Sequence, residues 1–520
     1  MKRGKLWIKA LSTAGLSLSI FLSSFGNVSN ALAMEPQENQ GLEAASLENS
    51  AQAGEEAALD ASASASSGAS TDVTKETSDA ADEASIEALD TSADALIDEF
   101  SVTESTPSKE YSVTALAPRQ QREADNSLIT RDHIQHGAIL HAFCWSFNTI
   151  ADNMADIADA GYTAVQTSPI NECLDTNPGM NLHGPDGMWW YHYQPTDWVI
   201  GNYQLGTRDE FKHMCDVADE YGIAVIVDIL PNHTTPTYSS ISQNLFDAAG
   251  GEDALYHKTG KTAGGYTDRL ELTYYEMGGL PDVDTENISF QQYFYEFLKD
   301  CVYLGADGFR IDTAKHISLP DDPVPASYEG QEDRNTFYPN MREAINEYSE
   351  EVGSKDYDDL FVYGEVLQGT NDRLAAYQEY IGGTTASNYG SSIRSALSAG
   401  DLSVNRILDY QIYDETVAGR TYTADTEKLV TWVESHDNYM NDGEGSWKAI
   451  DDDKLILGWA IIASRDAGTP LFFSRPNNSS TENPYGDNII GAAGSPIYKA
   501  PIVKAVNLFR EEMGDAGEYL

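Results

Sequence analysis

The chain has 520 residues, enough for one large core with accessory segments, and carries a formal net charge of −51 at pH 7. That charge excludes nucleic acid and anionic membrane surfaces as partners and is compatible with a neutral substrate. Four cysteines, Cys144, Cys173, Cys215 and Cys301, show neither metal-ligand spacing nor a dense disulfide framework, so isolated buried thiols are expected.

In chain order, residues 1–33 read as a signal peptide. Met1-Lys2-Arg3-Gly4-Lys5 is basic, the stretch from Leu11 to Phe25 is apolar, and Ala31-Leu32-Ala33 offers small residues for cleavage. The apolar run is short for a bilayer span, so export without membrane insertion is expected, an uncleaved anchor being the alternative. Residues 34–130 are dominated by Ala, Ser, Glu, Asp and Thr. From Met34 to Glu110 there are 19 acidic residues against two lysines, which predicts a disordered acidic extension.

From residue 131 to 520, short apolar runs alternate with helical patterns, the signature of an α/β fold with parallel strands. Candidate strands are Ile139–Trp145, Thr163–Ser168, Ala224–Leu230, Gly308–Asp312, Phe361–Gly364, Leu429–Glu434 and Pro470–Phe473, with a weaker eighth near Ala386–Tyr389. Helical spacing appears at Glu210–Tyr221, Gln291–Leu304 and Pro501–Met513, the last with Ile502, Val506 and Phe509 expected inward. Eight such units predict a (β/α)₈ TIM barrel. Roughly eighty residues follow Leu230 before the next barrel strand, too many for an ordinary connection, so about 234–283 is read as a small inserted subdomain.

Polar residues gather where these strands end. In Gly308-Phe309-Arg310-Ile311-Asp312, Arg310 and Asp312 share one face of a strand, and the guanidinium favours an ionised carboxylate. A glycosidase nucleophile needs that state, although a buried structural ion pair has the same sequence. Asp228-Ile229-Leu230-Pro231-Asn232-His233, Phe361-Val362-Tyr363-Gly364-Glu365 and Val433-Glu434-Ser435-His436-Asp437 end likewise in polar or acidic groups. Glu365 has no cation in its own segment and apolar Phe361 and Val366 nearby, so a raised pKa suited to an acid is expected there.

These four segments, with Leu280-Pro281-Asp282-Val283-Asp284, resemble the signature regions of the α-amylase family, the family 13 glycoside hydrolases. The resemblance runs from about Gly137 to Met513. Around His141-Ala142, Ala164–Asn171, Thr431–Asn438 and Thr469–Pro476 it looks like the saccharifying α-amylases of the bacilli. It implies Asp312 as nucleophile, Glu365 as general acid/base and Asp437 as transition-state stabiliser. It further implies sugar contacts from Trp190, Tyr193, Gln194, His233, Arg310, Lys315, His316 and His436, with Trp189 open between core and binding roles. Calcium is implied as cofactor, on side-chain oxygens of Asn232 and Asp282 and backbone carbonyls of Thr273 and His316. Chloride is in doubt, because Ser435 stands where chloride-using relatives carry Asn. Nothing in the chain matches the family's C-terminal β-sandwich. The implied protein is a secreted, monomeric, retaining endo-hydrolase of α-1,4-glucosidic bonds in starch, amylopectin, glycogen or malto-oligosaccharides. A transglycosylase on the same barrel and a non-catalytic polysaccharide-binding barrel are the alternatives.

Overall fold

The computed structural model describes residues 129–518 except 266, 332, 370, 441–444 and 515, and of Asn405 only the backbone. The signal peptide and almost all of the acidic extension expected from the sequence lie outside the described residues. Ile129 is buried, and the Thr130 hydroxyl caps a short helix at Arg131–His136.

Eight parallel strands close into a barrel: β1 Ile139–His141, β2 Ala164–Gln166, β3 Ala224–Ile229, β4 Gly308–Ile311, β5 Phe361–Gly364, β6 Gly383–Thr385, β7 Leu429–Trp432 and β8 Thr469–Phe473. Each strand pairs with its sequence neighbour, and β1 closes on β8 with Ile139 opposite Leu471. The two-residue period sorts the side chains. Val225, Val227 and Ile229 of β3 and Phe309 and Ile311 of β4 pack outward under the helices. Ala224 and Ile226 point into the lumen with Phe361, Tyr363, Val430, Trp432 and Leu471, and Ile129 and Ile134 stopper that inner core from below. Continuing the alternation, Asp228 and Arg310 are inward positions.

The sixth strand is Gly383–Thr385, not Ala386–Tyr389, whose residues enter the helix Ser387–Ala399. Gly-Thr-Thr carries no apolar side chain, so it lacks the signal by which a buried strand is read. Between β2 and β3 a three-stranded antiparallel sheet, Asn171–Cys173, Pro195–Asn202 and Gly206–Thr207, carries the aromatic turn Trp189–Tyr193. The insert after β3 holds the short helices Gln243–Ala249, Glu252–Leu255 and Arg269–Tyr274, joined by isolated bridges such as His233 to Asp282 and Tyr256 to Val283. All four cysteines are buried thiols. Among the described residues no helix is long and apolar enough to cross a membrane.

The closing helix Pro501–Met513 is rotated from expectation. Val503, Asn507 and Arg510 face inward, while Ile502 and Val506 are only half buried. The reason is a set of carbonyls at the barrel floor that need donors. Arg510 Nε donates to the Gly137 carbonyl at 2.6 Å, Nη1 to Arg465 at 2.7 Å, and Nη2 to Gly468 at 2.6 Å and Gln135 at 3.1 Å. Burial lowers its pKa to about 10, which leaves it charged at neutral pH. Arg510→Met keeps an unbranched apolar stem but removes the guanidinium, the donor to all four carbonyls, of which Gln135 alone retains a second donor in the Thr469 hydroxyl. At about 1.5–3 kcal/mol for a hydrogen bond to a charged group, it should cost 3 kcal/mol or more in urea unfolding. A loss below about 1 kcal/mol would mean that apolar packing alone seats the helix.

Candidate active site

Cross-strand register builds the centre. Asp228 of β3 lies opposite Arg310 of β4, and Arg310 opposite Tyr363 of β5. Arg310 Nη1 donates to both Asp228 oxygens, at 2.9 and 3.0 Å, and to Asp312 Oδ1 at 2.6 Å; Nη2 donates to Glu365 Oε2 at 2.8 Å. One planar guanidinium thus spans three carboxylates, a geometry that a lysine cannot reproduce. The Thr313 amide adds a bond to the same Glu365 oxygen at 3.0 Å. Thr313 reaches that position with φ of 48°, a left-handed turn uncommon for a β-branched residue. Gly364 permits the close fit, because a Cβ there would stand 2.6 Å from that of Ala314.

The absence of a cation beside Glu365, expected from its own segment, is corrected here: the cation arrives from the adjacent strand. Burial pushes the carboxyls of Asp437 and Asp228 upward. Asp437, at the start of the helix His436–Met440, is raised to about 8 by burial and by the charges of Glu365, Asp312 and Asp228, with Arg310 opposing. Its side chain is 36% open to solvent, so screening reduces that push. Asp228 is raised to about 7 by burial and the Asp312 charge against the pull of Arg310. With Asp228 and Asp437 both pushed upward beside the other acids, the cluster retains a proton near neutral pH.

Rings wall the centre. The Tyr193 hydroxyl donates to Asp228 at 2.9 Å, and its ring lies parallel to His436 at 5.0 Å. Phe143 is also stacked with His436, at 5.7 Å. Burial and Arg310 hold His436 well below the usual histidine range and His141 down at about 3, so both imidazoles are neutral. The 3.4 Å approach of His436 to Asp437 is therefore not an ion pair. Trp189 is a core ring wedged edgewise against Tyr193 and His436, whereas Trp190 is half exposed. His233 Nε2 donates to the Tyr193 carbonyl at 3.0 Å, and its buried Nδ1 has no partner among the described residues. The Lys315 ammonium stands 3.6 Å from Asp372. Gln194 Oε1 accepts the Thr235 hydroxyl at 3.0 Å, and His316 Nδ1 donates to the Leu272 carbonyl at 2.9 Å.

Of the residues singled out for calcium, Asn232 and Asp282 lie side by side. The Val283 amide donates to the Asn232 carbonyl at 2.8 Å, and the neighbouring His233 and Asp282 form a bridge. His316, through Leu272, sits beside Thr273. His257 lies between their neighbourhoods: its ring is 4.5 Å from Tyr274, the residue after Thr273, and its Nδ1 is 2.5 Å from Asp282 Oδ2. The Asn232 carboxamide is buried with its nitrogen unpartnered among the described residues, so its oxygen can turn to a cation. A carboxylate, a carboxamide and two carbonyls form an all-oxygen donor set, which fits Ca²⁺. His257 was not singled out from the sequence, since nothing beside it in its Gly- and Thr-rich segment marks it.

Comparison with known proteins bears on this arrangement. The family model described as the alpha-amylase catalytic domain matches residues 145–440. The chain belongs to that family. An alpha-amylase of Butyrivibrio fibrisolvens is 74% identical over 533 residues, spanning 100% of this chain and 54% of that protein. An alpha-amylase of Clostridium acetobutylicum is 34% identical over 393 residues, spanning 75% of this chain and 45% of its own length. The chain therefore spans about half the length of these curated relatives. Among solved structures, alpha-amylase I of Eisenia fetida superposes with a TM-score of 0.53 at 18% identity, over 72% of this chain and 77% of that one, a likeness of fold.

Within this amylase fold the raised carboxyl makes a prediction about pH. The folded state holds a proton on Asp437 that the unfolded chain loses near its ordinary value of 3.8. This group's contribution to stability therefore falls as pH rises from about 4 to 8. Asp437→Asn removes the linkage and should gain stability relative to the parent between about pH 5 and 8, read from urea midpoints. A difference that stays constant with pH would contradict the upward shift.

Proposed function

We propose that this chain is a retaining endo-hydrolase of internal α-1,4-glucosidic bonds in starch, amylopectin, glycogen and malto-oligosaccharides. The observation that carries the reading is the single guanidinium of Arg310 gripping both Asp312 and Glu365. A retaining pair works at about 5–5.5 Å, and one fork holding both carboxylates supports such a spacing. Asp312 attacks the anomeric carbon as the glycosidic C–O bond breaks, and Glu365 delivers a proton to the departing oxygen. Glu365 then takes a proton from water, whose oxygen displaces Asp312 and frees the enzyme. Asp437, ionised once the proton it holds in the free site has passed to Glu365, faces the positive charge that develops between these states. Tyr193 and His436 form one wall of the glucosyl site, and half-exposed Trp190 offers an apolar face to a sugar ring.

The names of the relatives, alpha-amylases of Butyrivibrio and Clostridium, support the substrate class. The amino-terminal sequence supports export, with the protein acting as a monomer on polysaccharide outside the cell. Calcium dependence is part of the proposal: when bound by Asn232, Thr273, Asp282 and His316, the ion supplies a fixed cross-link between insert and barrel.

Asp312→Asn should lower kcat on soluble starch by more than a hundredfold, about 3 kcal/mol, while starch affinity changes little. Retention of more than about one per cent of kcat would remove Asp312 as nucleophile. Glu365→Gln should fail on starch but recover partly on glucosides with good leaving groups, further with azide in place of water. Equal losses on both substrate types, without an azide effect, would remove the acid/base role. Sizing the products separates hydrolysis from transfer to sugar. In EDTA the melting temperature and starch activity should both fall and return with calcium, by about 4 kcal/mol for calcium a thousandfold above its Kd. Asp282→Ala should weaken calcium binding more than Asn232→Ala, and an unchanged melt under thorough chelation would exclude the ion.

A further inference from the structure

The insert and the barrel meet at a buried polar chain that the proposed chemistry does not use. His257 is tied to Asp282 twice. Its backbone amide donates to the Asp282 carbonyl at 3.1 Å, and its Nδ1 to Oδ2 at 2.5 Å. Nε2 donates to Glu286 Oε2 at 2.7 Å, and the imidazole side chain is only 1% exposed. Both ring nitrogens face carboxylate acceptors, so both carry protons and the ring is an imidazolium. The other Glu286 oxygen accepts the Ser318 hydroxyl and, at 3.3 Å, that of Thr285. Ser318 lies two residues beyond His316, on the segment that follows Asp312.

His257, Asp284 and Glu286 place ligand atoms within 4.8 Å of one another, which on its own suggests a metal site. Their capacity is already used. Arg334 pairs with Asp284 and lies 3.6 Å above the Tyr328 ring, while His257 spans Asp282 and Glu286. Two cations, His257 and Arg334, therefore serve the three carboxylates of Asp282, Asp284 and Glu286. The cluster is a strut of paired charges standing behind the Asp282 carboxylate.

We infer that the His257–Glu286–Ser318 strut sets the spacing between two calcium-binding segments, that of Asp282 and that of His316. This rests on the calcium reading above. His257 and Glu286 are positioning residues: they do not touch the ion, but they lock the Asp282 carboxylate in one rotamer and fix its distance from the His316 carbonyl. Partners behind metal ligands commonly govern affinity by ten- to a hundredfold.

The experiment is calcium titration of the full chain against a chromophoric chelator, with melting curves in EDTA and in saturating calcium. His257→Gln should raise the calcium Kd ten- to a hundredfold and narrow the difference between calcium-bound and calcium-free melting temperatures. Glu286→Gln should act alike, and the double variant should be little worse than either single one, as expected for one connected device. If His257→Gln does not fold, Ser318→Ala decides, with an expected several-fold rise in Kd. A Kd within twofold of the parent, with both melts lowered equally, would reduce the strut to ordinary packing and overturn the inference. A parent protein that binds no calcium would overturn the calcium reading itself, and the inference with it.

Discussion

A guanidinium buried in the mouth of a barrel must be matched by negative charge, and negative charge gathered around it must be matched in turn. Arg310 and its carboxylates satisfy this mutual demand: Asp228 from one strand, Asp312 from its own, Glu365 from the next. Removing one member would leave an uncompensated charge in a low-dielectric site, at a cost of about 3–5 kcal/mol. The same constraint fixes the register of β3, β4 and β5, since a slip of one residue would turn Arg310 out of the lumen. Structure and chemistry are thus specified by a single contact set.

The rest of the molecule holds that set still. Ile129 and Ile134 stopper the barrel from below, and Arg510 stitches the final helix to carbonyls of the floor. With the base closed, variation is confined to the loops above the strands, where a barrel of this type carries its chemistry. The antiparallel sheet after β2 brings Tyr193 to Asp228, and the insert after β3 brings Asp282 to Asn232.

How much of this was legible in the sequence depended on whether a signal was local. Strands such as Ala224–Ile229 announce themselves by apolar runs, and strand-end acids such as Asp312 and Glu365 by position. Gly383–Thr385 does not, because its place in the barrel comes from its neighbours rather than from its own side chains. The charge environment of Glu365 was misread for a related reason: its cation sits 55 residues away in sequence and one strand away in space. Helix Pro501–Met513 shows the same limit in reverse, since its apolar stripe suggested one face and the unsatisfied carbonyls of the floor selected another. His257 depends wholly on long-range contacts and has no local signature.

The sulfur atoms carry a last consequence. Cys144, Cys173 and Cys301 are buried, and burial pushes each thiol above its ordinary pKa, away from the thiolate that reacts. No cross-link has to form for the chain to reach its native shape, and no exposed thiolate invites oxidation or mixed disulfides. The described fold is complete with all four thiols reduced, so reaching it waits on no oxidant and on no isomerase to shuffle bonds.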